Sequence, residues 1–339
     1  MTSKIFNLFL VLFILAIQSA CTRKTDSAEA KQNIWIYTSL YKDTIADIQP
    51  KLEKEFPNIK FNFYQAGSEE VASKVNGEQI AGQIQADIMI SSDRFWYEDL
   101  ARQGKLLSYK PVNTDKVDAF YKNSEGFYHT LSYPVMVMAY NSEAMTEKEL
   151  PSSFKDLTDK KFKAKASSGS PLASGTNFTT VAFLQRAYGW EFFKGLREND
   201  FLAEGGNSGV IRRLQSKERP IGIVLLENIL RLKESDPLIK AFFPKDGVIM
   251  QSNVLAIEKK ESNTNGNAQK VADWLFSQEG QSAMTRSFMY SGVPGYPAPV
   301  GAPEFATLMS QAKKWDSEFI EQTLKDREKI KEEFSKIMF

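Results

Sequence analysis

The chain is short of the groups from which many functions are built. Among its 339 residues there is one cysteine, Cys21, and one histidine, His129. A lone cysteine cannot form a disulfide framework, and one isolated imidazole does not make a metal constellation. There is no Gly-Lys-Ser/Thr phosphate loop and no His-Glu-x-x-His pair. A serine-hydrolase elbow is also missing, because in Glu204-Gly-Gly-Asn-Ser-Gly209 the second glycine comes one place early. His129 precedes any plausible nucleophile and has no acid beside it, so no catalysis is expected. Excess charge is absent too. Lys4 is the only charged residue among the first twenty, which leaves 42 basic against 42 acidic residues in the remainder. That balance argues against a nucleic-acid footprint, which is usually basic. No repeat, heptad or low-complexity tract occurs, and no apolar run reaches the roughly 20 residues of a spanning helix.

What is present begins with an address. Lys4 precedes an apolar run, Ile5 to Ile17, broken only by Asn7, and Gln18-Ser19-Ala20-Cys21 follows. This is a positive n-region, a short h-region and a small-residue cleavage site. The stretch resembles a bacterial lipoprotein signal, in which the cysteine becomes the acylated first residue. Gln18 departs from the aliphatic residue usual at that place. The first expectation is therefore a signal peptide over 1–20 with lipidation at Cys21, and plain secretion is the second. Residues 21–32 are a polar tether without periodicity, expected to be disordered.

Strand and helix patterns then alternate. Asn33-Ile-Trp-Ile-Tyr-Thr38 alternates as a strand does, and Ile45, Ile48, Leu52 and Phe56 share a helical face. Ile59 to Tyr64 is a second strand, with a helix opening at Gly67-Ser68-Glu69-Glu70. Ala86 to Ile90 is a third, running into Ser91-Ser92-Asp93 and another helix. Such an order predicts an open, mainly parallel α/β sheet, whose ligands sit beyond the carboxyl ends of the strands. Ser39, Gly67, Ser68, Ser91 and Ser92 all fall there. Ser132 to Asn141 and Val248 to Ile257 are long apolar strands suited to crossing between lobes. A buried strand, Pro220 to Leu226, ends at Glu227-Asn228, and Phe305 to Phe339 reads as a capping pair of helices.

Two knots of small polar residues run straight into apolar-periodic segments: Ala173-Ser-Gly-Thr-Asn-Phe-Thr-Thr180 and Glu204 to Gly209. One reading is ordinary helix caps, since Ser, Thr and Asn accept from first-turn N–H groups. The other is a site for an anion, because a helix N-terminus carries about half a positive charge.

In their order over the chain, Tyr37-Thr38-Ser39, Gly67 to Glu70, Ala86 to Ile90, Ser174-Gly175-Thr176, Gly206-Asn207-Ser208 and Ala268 to Gly280 resemble the extracellular solute-binding proteins of bacterial ABC importers. Within them the likeness is to the group that binds ferric ion, thiamine, phosphonate and hexose phosphate. The resemblance implies an α/β, two-lobe type 2 periplasmic-binding-protein fold with two crossing hinge strands. Lobe one is then expected over 33–133 plus 248–290, lobe two over 134–247, and residues 291–339 as a helical segment packing on both. It also implies a small solute and a permease–ATPase complex as partners, no cofactor, a monomer, and a place in the periplasm or at the outer cell surface.

Iron-binding members use a pair of adjacent tyrosines, and this chain has no Tyr-Tyr dipeptide. Iron held by Tyr37, Tyr133 and Glu227 is the alternative, and a sensor for a membrane kinase a further one. The first expectation is an organic phosphate or phosphonate. Its anion would be met by Ser39, Gly67, Ser68, Ser91, Ser92, Ser174, Gly175, Thr176, Asn207 and Ser208. Glu227 would accept from the other half of the ligand, or else pair with Arg231 one turn on. Tyr37 and Trp96 are candidate walls, or core.

Overall fold

The structure is a computed structural model that describes residues 31–339. The expected signal peptide, Cys21 and the expected tether up to residue 30 lie outside the described residues. Strand β1 (Gln32–Thr38) begins at Gln32, the last residue assigned to the tether. It is followed by α1 (Lys42–Glu55), β2 (Ile59–Gln65), α2 (Ser68–Ile80), β3 (Ile88–Ser91) and α3 (Arg94–Arg102). β1 pairs in parallel with both β2 and β3. Their carboxyl ends, Thr38, Gln65 and Ser91, therefore share one edge. Helix α1 buries Ile45, Ile48 and Leu52 at helical spacing, and the removal of such apolar faces from water is the main force holding each layer together.

Next come β4 (His129–Tyr133) and β5 (Val135–Asn141), separated only by Pro134. Proline offers no N–H to a ladder, so the strand changes sheets there. The second half of the fold comprises β6 (Ala166–Ser168), α4 (Gly175–Glu198), β7 (Leu202–Ala203), α5 (Asn207–Gln215), β8 (Ile221–Leu225), α6 (Leu226–Leu232) and β9 (Ile239–Phe242). The chain returns through β10 (Ile249–Met250) and β11 (Asn253–Ile257), then α7 (Asn267–Phe276), α8 (Gln278–Arg286) and β12 (Tyr290–Ser291). One sheet runs β12-β4-β11-β3-β1-β2; the other runs β10-β5-β8-β6-β7, with β9 also on β5. The two lobes are thus joined by β4–β5 and β10–β11, the two crossing strands expected of the fold.

The carboxy-terminal segment forms three helices rather than a pair: α9 (Phe305–Gln311), α10 (Ser317–Lys325) and α11 (Arg327–Met338). Asp316 caps α10 by accepting from Phe319 N–H at 2.8 Å, which starts a new helix after the first has ended. These helices touch both lobes. Phe319 stacks on Phe183 with ring centroids 4.0 Å apart, and Phe334 meets Phe193. Arg327 Nε donates to Asp93 Oδ2 at 3.1 Å, and its Nη2 lies 3.3 Å from Glu69. Lys331 pairs with the same Glu69 at 2.8 Å. Asp93 is almost fully buried and also caps α3 through Phe95 and Trp96 N–H.

His129 is buried within β4, its Nε2 at 2.8 Å from the Tyr109 carbonyl, and burial holds its pKa below the usual range. It is a structural histidine.

Removing Arg327 strands Asp93 inside the protein. Arg327→Met should lower unfolding free energy by about 3–5 kcal/mol, the usual consequence of leaving one buried charge unpaired. Arg102→Met, whose partner Glu321 is exposed, should change it by about 1 kcal/mol or less. Urea denaturation of both variants checks the contrast; equal effects would contradict it.

Candidate functional site

Three helix tips meet between the sheets. The residues capping α2, α4 and α5 are Gly67, Ser174 and Gly206, and none places a side chain on its helix's first turn. First-turn N–H groups have no partner within their own helix, so these tips keep donors for something else. They border one cavity of about 280 Å³, at the small end of small-molecule sites. Ser39, Gly67, Ser68, Ser92, Ser174, Thr176, Asn207, Ser208 and Glu227 all line it. No lysine or arginine does.

Two expected residues do not line it. Ser91 ends β3 with its hydroxyl 3.0 Å from the Tyr97 hydroxyl, buried within lobe one. Neighbouring residues of an extended chain point opposite ways, so Ser92 faces the cavity and Ser91 cannot. Gly175 has a different role. Its N–H donates to Ser68 Oγ at 2.7 Å, across the lobe boundary. A Cβ at this position would lie 1.7 Å from the Ser92 carbonyl oxygen. The lobes approach this closely only because residue 175 has no side chain.

Around the α4 tip the polar groups interlock. Ser174 Oγ and Thr176 Oγ1 are 2.9 Å apart, and Asn207 Nδ2 donates to Thr176 Oγ1 at 3.1 Å. Asn207 Oδ1 has no partner. From the return crossing, Gln251 Nε2 donates to the Thr176 carbonyl at 3.1 Å and to Thr180 Oγ1 at 3.2 Å. The tips therefore clasp one another in part, through Ser68–Gly175 and Asn207–Thr176.

At the other end stands Glu227, in the first turn of α6 and 2% exposed. The Tyr41 hydroxyl is within 3.3 Å of both Glu227 Oε1 and Asn228 Oδ1 and shares its one proton between them. Arg231 does not pair with Glu227. Its guanidinium covers the Tyr41 ring at 4.1 Å, pairs with Asp43, and donates to the Ser287 carbonyl at 2.7 Å. Burial lifts the Glu227 carboxyl to about 7, tempered by the positive charge of Arg231. Burial, reinforced by Glu227, pushes the Tyr41 phenol well above its ordinary value, so it stays a donor.

The candidate walls and phenolates lie elsewhere. Tyr37 is buried in lobe one with its hydroxyl on Glu78 at 2.8 Å, and Trp96 donates to Asn76 at 3.2 Å. Tyr133 packs against Tyr121 and Phe305. Conversely, Tyr41, Gln65, Asn253 and Met289 line the cavity without having been singled out, as does Asn228, noted only as the neighbour of Glu227. Tyr41 and Gln65 sit at strand ends, where the rule that found Ser39 and Gly67 also applies. Asn253 opens β11, a position that pattern alone marks only as strand.

Among the described residues no group of three or more His, Cys, Asp or Glu side chains is placed to hold a metal, and no helix is long and apolar enough to cross a membrane.

Residues 84–317 match a family described as bacterial extracellular solute-binding protein. A probable ABC transporter periplasmic-binding protein, y4fP of Sinorhizobium fredii, is 24% identical over 258 residues, 73% of this chain and 70% of that protein. Among solved structures, the periplasmic binding protein AfuA from Actinobacillus pleuropneumoniae, with fructose-6-phosphate bound, superposes with a TM-score of 0.79. Its identity is 21%, covering 91% of this chain and 99% of the other. Iron-bound HitA from Pseudomonas aeruginosa gives 0.76 at 19% identity, over 89% and 99%. At such identities the structural likeness speaks for the fold.

Glu227 makes stability pH-dependent. Its pKa is near 4.5 unperturbed and about 7 when folded, so between these values the folded chain keeps a proton that the unfolded chain has lost. Stability should therefore fall as pH rises through this window and level off above it. Glu258, also lifted to about 7 by burial, adds to the same fall. Glu227→Gln should flatten part of it, and thermal melts between about pH 5 and pH 8 check this; parallel curves would contradict the burial argument. Gly175→Ala should destabilise by about 1–3 kcal/mol through overpacking. Gly77→Ala, which meets nothing within 4 Å, should stabilise α2 by about 0.5–1 kcal/mol.

Proposed function

The chain belongs to the bacterial extracellular solute-binding proteins, and from that premise we propose that it is the substrate-binding component of an ABC importer, carrying a small organic phosphate or phosphonate between its lobes. The supporting observation is the cavity itself, where three uncapped helix tips and a ring of hydroxyls meet with no cationic side chain. Backbone N–H groups and helix dipoles suit a compact anion of this kind. Hydroxyls of Ser39, Ser68, Ser92, Ser174, Thr176 and Ser208 add donors that rotate to meet phosphate oxygens. Fructose-6-phosphate, bound in the AfuA structure, belongs to the same chemical class.

Glu227, Tyr41 and Asn228 supply the opposite end. A carboxyl that titrates near neutrality can accept from sugar hydroxyls or an ammonium and, when protonated, donate. Iron fits less well. Ferric iron prefers anionic oxygen donors, and the one phenol at the cavity, Tyr41, is held in its protonated form.

Residues 33–133 with 248–290 would form lobe one and 134–247 lobe two, with 291–339 packed on both. Ligand touching both lobes favours the closed arrangement, which the permease would recognise. Acylation at Cys21 would hold the protein to a membrane of the cell envelope.

Calorimetry with hexose phosphate, phosphoglycerate, aminoalkylphosphonate and ferric citrate tests the reading. At least one phosphorus compound should bind. Thr176→Val should weaken it by about 1–3 kcal/mol, the effect of leaving buried polar partners unmatched. Tight binding of ferric citrate with no heat from the others would overturn the proposal.

A further inference from the structure

A second cavity, of about 290 Å³, lies between α3, the loop after residue 118 and α10. It shares no lining residue with the cleft between the lobes. Its floor contains Arg94, 7% exposed, whose Nε and Nη1 have no hydrogen-bond partner. The guanidinium lies 5.8 Å from the Tyr128 ring and 5.5 Å from that of Trp315. Such aromatic contacts offset part of the cost of burying a cation, but they leave Nε and Nη1 unmatched.

The carboxylates nearby are already engaged. Glu98 accepts from Tyr128 at 2.6 Å and from Arg102 at 3.3 Å. Glu321 pairs with Arg102 at 2.7 Å, and Asp118 accepts from Phe120 N–H at 2.8 Å. Among the described residues Arg94 has no ion-pair partner. Lys122, on the same cavity, donates only to the carbonyls of Thr114 and Asp115, at 3.0 and 2.8 Å. Arg94 and Lys122 thus face one space with no carboxylate of their own; Glu98 and Glu321, held by Tyr128 and Arg102, line it as well, with Asn123 and Ser317.

Buried donors in folded proteins are almost always satisfied, and the volume exceeds by several-fold the ~30 Å³ share of one water. The planar guanidinium fork matches carboxylate and phosphate oxygens. We propose that this cavity is a second, independent site for a small oxyanion, carboxylate or phosphate, held by Arg94 and Lys122. It joins α3 of lobe one to the carboxy-terminal helices.

The test is a titration of the ¹⁵N-labelled full chain with sodium phosphate and, separately, sodium acetate, at constant ionic strength. The Arg94 Nε–H resonance, identified by its loss in Arg94→Lys, is followed in each. One of the two anions should shift it saturably, with the same midpoint in Thr176→Val, whose change lies in the other cleft. Lys122→Gln, a partly exposed position that should not impair folding, should weaken binding about tenfold, a charge-assisted hydrogen bond's share. No saturable shift from either anion, an unchanged midpoint in Lys122→Gln, or a midpoint altered by Thr176→Val would overturn the proposal.

Discussion

The arrangement depends on a missing side chain. At Gly175 the tip of α4 comes so close to the end of β3 that a Cβ would penetrate the Ser92 carbonyl, and its N–H reaches Ser68 on the tip of α2. That contact fixes how far apart two helix ends from different lobes stand. It also places Ser174 and Thr176 beside Ser68 and Ser92, residues about a hundred positions away in sequence. Behind it, Gln251 on the return crossing holds the first turn of α4, while Arg327 and Lys331 hold Glu69 and Asp93 at the tips of α2 and α3. The carboxy-terminal helix thus steadies the site from outside without entering it.

The electrostatics of the cleft follow from the same geometry. Formal positive charge is absent from its lining, and the one carboxyl, Glu227, is lifted toward neutrality by burial. Arg231 approaches but is kept by Asp43 and the face of Tyr41. What is left to attract an anion is a set of oriented N–H groups and hydroxyls, which are preorganised and need little rearrangement. Distributed dipoles of this kind compensate charge without a flexible cationic side chain that must be ordered on binding.

Much of this was legible in the sequence because it is local. Period-two strands followed by helical faces predicted the alternating strands and helices that open lobe one, and small polar residues at strand ends and helix starts, together with Glu227, marked nine of the cavity's residues. Local pattern failed where direction or distance decides. Ser91 and Ser92 are indistinguishable by type, and only strand register turns one inward to Tyr97. Gly175 reads as part of an anion knot, yet its function is steric and visible only against Ser92. The Arg327–Asp93 pair spans most of the chain, and no periodicity announces it. Arg231 one turn from Glu227 suggested a helical ion pair, but Asp43, from the other lobe, competes successfully.

The central claim is that helix tips, and not cationic side chains, neutralise the guest in the interlobe cleft. A crystal structure of the protein with a bound hexose phosphate tests it most directly. The account predicts the phosphate among the first turns of α2, α4 and α5, within hydrogen-bond reach of their N–H groups and of Thr176, with Glu227 and Tyr41 on the sugar. A phosphate gripped by lysine or arginine, or seated outside this cavity, would contradict it.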